Sequence, residues 1–242
     1  MARRLAAAGI PQRYSACTLE KFNVNRGEAK ASLLKARSLC QQYCDAFFTV
    51  DGVMRESGLL FVGPPGAGKT HLSVAVLRHL IQRYRLRGRF VDFTSLIHQI
   101  QSSFDPGSPD SKRQILDPVI GAELLVLDEL GAQKPTPWVM DTLYLIINTR
   151  YTERRPTLFT TNYRLQEVAA AEPRKNPGGE FGYRSAGASD RPSGREPAVA
   201  SLSARLTPML VSRLFEMAQP VEMLAVEDFR REVKLHQHRL AP

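Results

Sequence analysis

Cysteine is scarce in this chain of 242 residues, which holds only Cys17, Cys40 and Cys44. Three thiols without paired spacings offer no disulfide framework, and Cys40 and Cys44, though spaced to share a helical face, fall short of the four ligands a closed zinc site needs. Long apolar runs are missing too. Leu59–Val62, Leu124–Leu127 and Leu143–Ile147 are far too short to span a bilayer. The basic, small-residue start is interrupted by Pro11-Gln12-Arg13 before an export signal could form its apolar centre. No internal repeat is found. These absences predict a reduced, soluble, cytoplasmic protein that does not engage a membrane.

Acidic residues are in deficit. Asp and Glu number 24 against 33 Lys and Arg, a formal charge of +9. That balance favours polyanionic partners such as nucleic acid, the alternative being a basic surface that serves only solubility. The length and a hydrophobic share of 43% suffice for one sizeable core, or a core with a small appendage.

Along the chain, Ala29, Leu33, Ala36, Cys40, Tyr43 and Phe47 recur at steps of four and three and predict a helix over Glu28–Phe48 lying on the core. Gly58–Val62 reads as a short buried strand, followed by a glycine-rich turn and an amphipathic helix over His71–Arg87. Further strands are predicted at Arg89–Phe93, Leu124–Leu127, Thr157–Thr160 and Val221–Val226, most separated by helical patterns. Such alternation predicts an α/β fold, a parallel sheet sandwiched by helices. Glu172–Pro197 breaks the pattern. It is crowded with Pro, Gly, Ser and Arg, and predicts a mobile, exposed insertion at about 172–197. Its Arg174, Lys175, Arg184, Arg191 and Arg195 either contact DNA or do nothing specific.

The strongest chemical signal is Gly63-Pro64-Pro65-Gly66-Ala67-Gly68-Lys69-Thr70, a phosphate-loop pattern set between a predicted strand and a predicted helix. Glycines let the backbone curl so that successive N–H groups point inward, and the positive end of the following helix adds to their pull on phosphate oxygens. Lys69 is expected to bridge the β- and γ-phosphates of ATP, and Thr70 to offer its hydroxyl to Mg²⁺.

A second piece is Leu124-Leu125-Val126-Leu127-Asp128-Glu129, an apolar strand that carries two carboxylates to its carboxyl end, where open parallel sheets place ligands. Asp128 is expected to hold Mg²⁺, partly through water, and Glu129 to polarise a water for in-line attack on the γ-phosphate. The third piece is Thr160-Thr161-Asn162 at a strand end. The Asn162 amide there either orients the attacking water or touches the γ-phosphate; the bland reading is a polar turn.

Taken in order, these segments resemble a known family. Ile10-Pro11-Gln12-Arg13-Tyr14, Thr18–Phe22, the phosphate loop with His71-Leu72, Leu127–Gly131, Arg154–Thr157, Thr160–Asn162 and Ser212–Met217 together resemble the AAA+ helicase loaders of the DnaC type and the closely similar IstB-type transposition helper ATPases. The resemblance covers most of the chain. It implies a P-loop NTPase (AAA+) core over 58–242 with residues 1–57 as an arm and helix packed on it, and no separate helical lid at the carboxyl end. It implies that His71 belongs to the nucleotide site and that Ile10–Phe22 pass near the adenine. It also implies that Arg213 is an arginine finger reaching a neighbouring subunit's ATP site, and that Arg230 is a second phosphate-sensing arginine.

Little chain precedes Ile10, where loaders usually carry a helical module that grips the helicase. The function the resemblance implies is an ATP-hydrolysing helicase loader, acting as a homo-oligomer on single-stranded DNA with a replicative helicase. Its alternative is a transposition helper that forms filaments on duplex DNA and activates a transposase. A third reading is a nucleotide-gated scaffold without useful turnover. Arg83, Arg85, Arg87 and Arg89 are candidates for DNA contact on charge alone.

Overall fold

The computed structural model describes residues 2–105, 111–165 and 201–224. Helix α1 (Ala2–Ala7) and α2 (Lys30–Asp45) precede strand β1 (Gly58–Val62), helix α3 (Lys69–Tyr84) and strand β2 (Gly88–Asp92). Helices α4 (Phe93–Ser102) and α5 (Lys112–Ile120) lead to β3 (Leu124–Asp128), α6 (Pro137–Thr152) and β4 (Thr157–Thr161), and the last elements among the described residues are α7 (Pro208–Met217) and β5 (Ala218–Glu222). All five strands are parallel, in the order β2-β3-β4-β1-β5.

Strand residues alternate between the two faces, so each short apolar run feeds two cores. Leu59 and Phe61, Leu124 and Val126, and Leu158 pack with α2 and α3. Leu60 and Val62, Leu125 and Leu127, and Phe159 pack with α4, α5, α6 and α7 on the opposite face. The predicted sheet with helices on both sides is the observed one.

Helix ends follow local chemistry. The Thr136 hydroxyl accepts from Val139 N at 3.4 Å ahead of Pro137, and Ser111 and Gln114 form a capping box for α5. The predicted helix over Glu28–Phe48 is shorter at both ends, because a 3₁₀ turn at Gly27–Ala29 leads into it and the chain leaves helical geometry after Asp45. Cys40 and Cys44 are fully buried on α2, acting as small apolar side chains. Helix α3 begins at Lys69 and stops at Tyr84, because Arg85 turns left-handed at φ +57°.

One strand is displaced. The run Val221–Val226 is the more apolar, but pairing with β1 uses Ala218–Glu222, with Gly58 opposite Ala218 and Val62 opposite Glu222. As an edge strand, β5 buries Ala218 and Val221 and exposes Gln219, Pro220 and Glu222, so it lacks the continuous apolar run that marks a central strand. Val226 and the segment 172–197, with its five basic candidates, lie outside the described residues.

Candidate functional site

Strands β3, β4 and β1 are neighbours, so their carboxyl ends bring three sequence-distant segments to one crevice. The loop after β1 closes over its own backbone. Gly63 lies so near Met223 that an added Cβ would stand 2.2 Å from the Met223 carbonyl oxygen. Gly66 and Gly68 take φ of +78° and +95°, left-handed values that side chains resist. Lys69 is buried, and its Nζ donates to the carbonyls of Gly63 and Pro64, each at 2.8 Å. The ammonium therefore sits inside the loop at the start of α3, where helix-end N–H groups favour anions.

Thr70, one residue on, donates its hydroxyl to Asp128 at the end of β3, with distances of 3.0 and 3.2 Å to the two carboxylate oxygens. Asp128 also accepts from the Thr160 hydroxyl of β4 at 2.6 Å. Burial pushes its pKa up to about 6, against the lowering effect of its bonds to Thr160 and Thr70, with Glu129 and Asp92 adding to the rise. A desolvated carboxylate facing a hydroxyl, held by neutral donors alone, is a donor set that fits a hard divalent cation, which takes oxygen ligands.

Glu129 is exposed and left-handed at φ +60°, a conformation rare outside glycine, asparagine and aspartate. Its backbone N–H donates to the Thr160 hydroxyl oxygen at 3.0 Å, and Leu130 N donates to the Thr160 carbonyl at 2.8 Å. The turn is thereby tied to β4, and Glu129 lines the cleft. Asn162, just past β4, lines the same cleft.

The cleft has a volume of about 240 Å³ and is lined by Gly66, Gly68, Lys69, Thr70, His71, Glu129, Thr160 and Asn162, with Arg13, Tyr14 and Cys17 from the amino-terminal arm. The arm is fastened to α3. Thr18 O lies 2.9 Å from His71 Nε2, Arg78 donates to Cys17 O at 2.9 Å, and the rings of Phe22 and His71 are 5.4 Å apart. Burial lowers the His71 pKa more than the Thr18 contact raises it, so the ring is neutral at pH 7. Phe22 also packs on Gly68, where an added Cβ would stand 2.6 Å from its ring.

Several residues escaped the sequence reading. Arg26 donates to the Gly66 carbonyl at 2.9 Å and so holds the phosphate loop from the arm; nothing in Asn23-Val24-Asn25 announces it. Thr160, named before only as part of the Thr160-Thr161-Asn162 segment and given no role of its own, links Asp128 to the Glu129 turn. Arg150 is fully buried and spends its donors on Thr157 Oγ1 and the carbonyls of Val119, Ile120, Ala122 and Pro156, at 2.8 to 3.3 Å. Its helical phase with Val139, Leu143 and Ile146 was the available clue.

Arg213 on α7 does not line this cleft; its guanidinium lies over the rings of Tyr144 and Tyr151 on α6. Arg230 is outside the described residues. Of the basic candidates for DNA contact, Arg83 pairs with Asp45 at 3.3 Å and Arg87 with Glu123 at 3.2 Å. Arg83 sits about 20 Å along α3 from the cleft, given 1.5 Å per residue. Among the described residues no helix is long and apolar enough to cross a membrane.

A family model described as IstB-like ATP binding protein matches residues 12–171. The replicative helicase loader DnaC of Escherichia coli K12 is 29% identical over 170 residues, covering 69% of this chain and 64% of that protein. An insertion-sequence ATP-binding protein of Geobacillus stearothermophilus is 30% identical over 114 residues, covering 47% of this chain and 43% of its own. The crystal structure of the DnaC helicase loader superimposes with a TM-score of 0.63 at 26% identity, covering 88% of this chain and 99% of that one. The chain thus spans just under two thirds of the curated loaders it matches.

Proposed function

This chain belongs to the family of IstB-like ATP binding proteins, and from that premise we propose that it is a Mg²⁺-dependent ATPase that works as a homo-oligomer on single-stranded DNA to load a replicative helicase. The observation that carries the ATPase reading is the chain of contacts Thr70–Asp128–Thr160–Glu129, which ties the phosphate loop, a buried carboxylate and an exposed glutamate into one cleft.

When bound, Mg²⁺ neutralises charge on the β- and γ-phosphates of ATP. Thr70 and Asp128 would hold the cation, Asp128 in its ionised form. Lys69 turns its ammonium from the Gly63 and Pro64 carbonyls toward phosphate oxygens. Glu129 accepts the proton of the attacking water at its carboxylate, and the Asn162 amide positions that water or the γ-phosphate. Arg13 and Tyr14 wall the cleft on the arm side, and His71 fixes the arm. Arg213 reaches the site of a neighbouring subunit, where a guanidinium offsets charge developing on the γ-phosphoryl group.

The loader reading draws on likeness to DnaC in both sequence and fold. Glu129→Gln, which should hold the ATP-bound assembly, tests it by size-exclusion chromatography with the replicative helicase of the same cell. An ATP-dependent complex is the expected result. No complex under any nucleotide condition shifts the reading to a second one, a transposition helper on duplex DNA, which the matching family model and the insertion-sequence relative support.

A further inference from the structure

Arg213 sits half-buried on α7, in an unusual arrangement for a surface arginine. Tyr144 and Tyr151, seven residues apart on α6, lie on one side of that helix and meet α7. The Arg213 guanidinium carbon is 4.8 Å from the Tyr144 ring centre and 5.7 Å from that of Tyr151. Rings hold the cation by their negative faces and use none of its N–H donors. Its Nη1 is buried and has no hydrogen-bond partner among the described residues, and none of their carboxylates pairs with it.

An acid stands close by in the sequence. Glu216 is three residues on from Arg213, a spacing at which arginine and glutamate commonly pair on a helix. Instead its Oε1 accepts the Tyr151 hydroxyl at 2.8 Å. That bond, and the negative charge beside it, raise the Tyr151 pKa, so the phenol keeps its proton and remains a donor at neutral pH.

We propose that Tyr144, Tyr151 and Glu216 form a holder for Arg213: the two rings orient the guanidinium, and the Tyr151 hydroxyl restrains Glu216 so that it does not neutralise the arginine. The three are positioning residues, and the proposal rests on the reading of Arg213 as the arginine given to a neighbouring subunit. A guanidinium held by rings alone breaks no ion pair when it turns to the phosphate of that neighbour, where its buried Nη1 gains a partner. One paired to Glu216 must first break an ion pair.

The test is ATP turnover of the full chain over a range of protein concentrations, for wild type, Arg213→Ala, Tyr151→Phe, Glu216→Gln, Tyr151→Phe with Glu216→Gln, and Tyr144→Leu. Tyr151→Phe keeps the ring and frees the acid, so kcat in the assembled state should fall roughly fivefold with KM for ATP unchanged. Adding Glu216→Gln should restore it, which a merely structural defect would not allow. Tyr144→Leu should lower kcat about tenfold, through loss of the ring beneath the cation. Loss in Tyr151→Phe that Glu216→Gln does not restore overturns the restraint. Arg213→Ala inactive beside wild-type turnover in Tyr151→Phe and Tyr144→Leu overturns the holder and leaves the role of Arg213 standing. Wild-type turnover in Arg213→Ala removes both.

Discussion

The hydroxyl of Thr160 donates to Asp128 at 2.6 Å and accepts the backbone N–H of Glu129 at 3.0 Å, so one side chain of β4 sets the geometry of both carboxylates on the end of β3. Thr160→Val removes the donor and the acceptor together and leaves a buried carboxylate and an N–H short of partners. It should cost about 1–3 kcal/mol of stability and lower kcat, while Thr160→Ser retains both. Chemical denaturation and phosphate release measure the two effects. Wild-type turnover in the valine variant would show that the Glu129 turn holds without this tie.

Glu129→Gln should bind ATP as tightly as wild type and lose about 10²–10⁴-fold in turnover, the usual worth of a general base. Nucleotide binding by fluorescence titration, set beside phosphate release, separates the two quantities. Turnover within a few-fold of wild type would remove Glu129 from its proposed role.

Asp128 has a pKa raised from 3.8 to about 6 by burial. The folded state therefore keeps its proton at a pH where the unfolded chain has lost it. The stabilisation is complete below the unfolded value, near 4, and is lost as pH rises through about 6. At about 1.4 kcal/mol per pH unit, the cation-free fold loses about 3 kcal/mol across that window. Asp128→Asn should consequently be more stable than wild type at pH 7.5, with the gap closing toward pH 4, as followed by urea unfolding. Mg²⁺-dependent ATP binding has the opposite sign: it needs the ionised carboxylate and should weaken below pH 6. A gap that stays constant from pH 4 to 7.5 would contradict the assignment.

Arg150 is held by one hydroxyl and four carbonyls from the segments that bracket β3 and β4. Burial lowers its pKa to about 9, so it stays charged at neutral pH. Arg150→Ala strands several acceptors at once and should destabilise the fold by about 3 kcal/mol or more. Arg150→Lys should recover little, because an ammonium cannot reproduce the planar fork of donors. Equal unfolding midpoints for the lysine variant and wild type would refute the need for that fork.

Arg26 reaches across to the Gly66 carbonyl at 2.9 Å. Its replacement by alanine should weaken ATP binding through a looser phosphate loop, with kcat at saturating ATP nearly unchanged. Isothermal titration shows whether affinity moves. A fall confined to kcat would assign Arg26 to a different step.

Much of this was legible without coordinates. Each apolar run of four or five residues had the length and composition of a buried strand, and the glycine spacing before Lys69 has one main chemical use. The edge strand was misplaced, because β5 is only half buried and its residues do not stand out from the more apolar segment beside it. Arg26, Thr160 and Arg150 were hidden for a related reason. Each acts through a partner 6 to 40 positions away, and no local pattern marks such a pairing.

The sequence by itself determined that a phosphate-binding turn would join a buried strand to a helix, and that Asp128 and Glu129 would end another strand, because local backbone chemistry and period-two burial decide both. Only the tertiary structure decided that β3, β4 and β1 would lie side by side, that Thr160 would join Asp128 to the Glu129 turn, and that Arg213 would rest on Tyr144 and Tyr151 with Glu216 held aside. Strand order and helix packing are set by the simultaneous burial of many distant apolar faces, and that is a property of the whole chain.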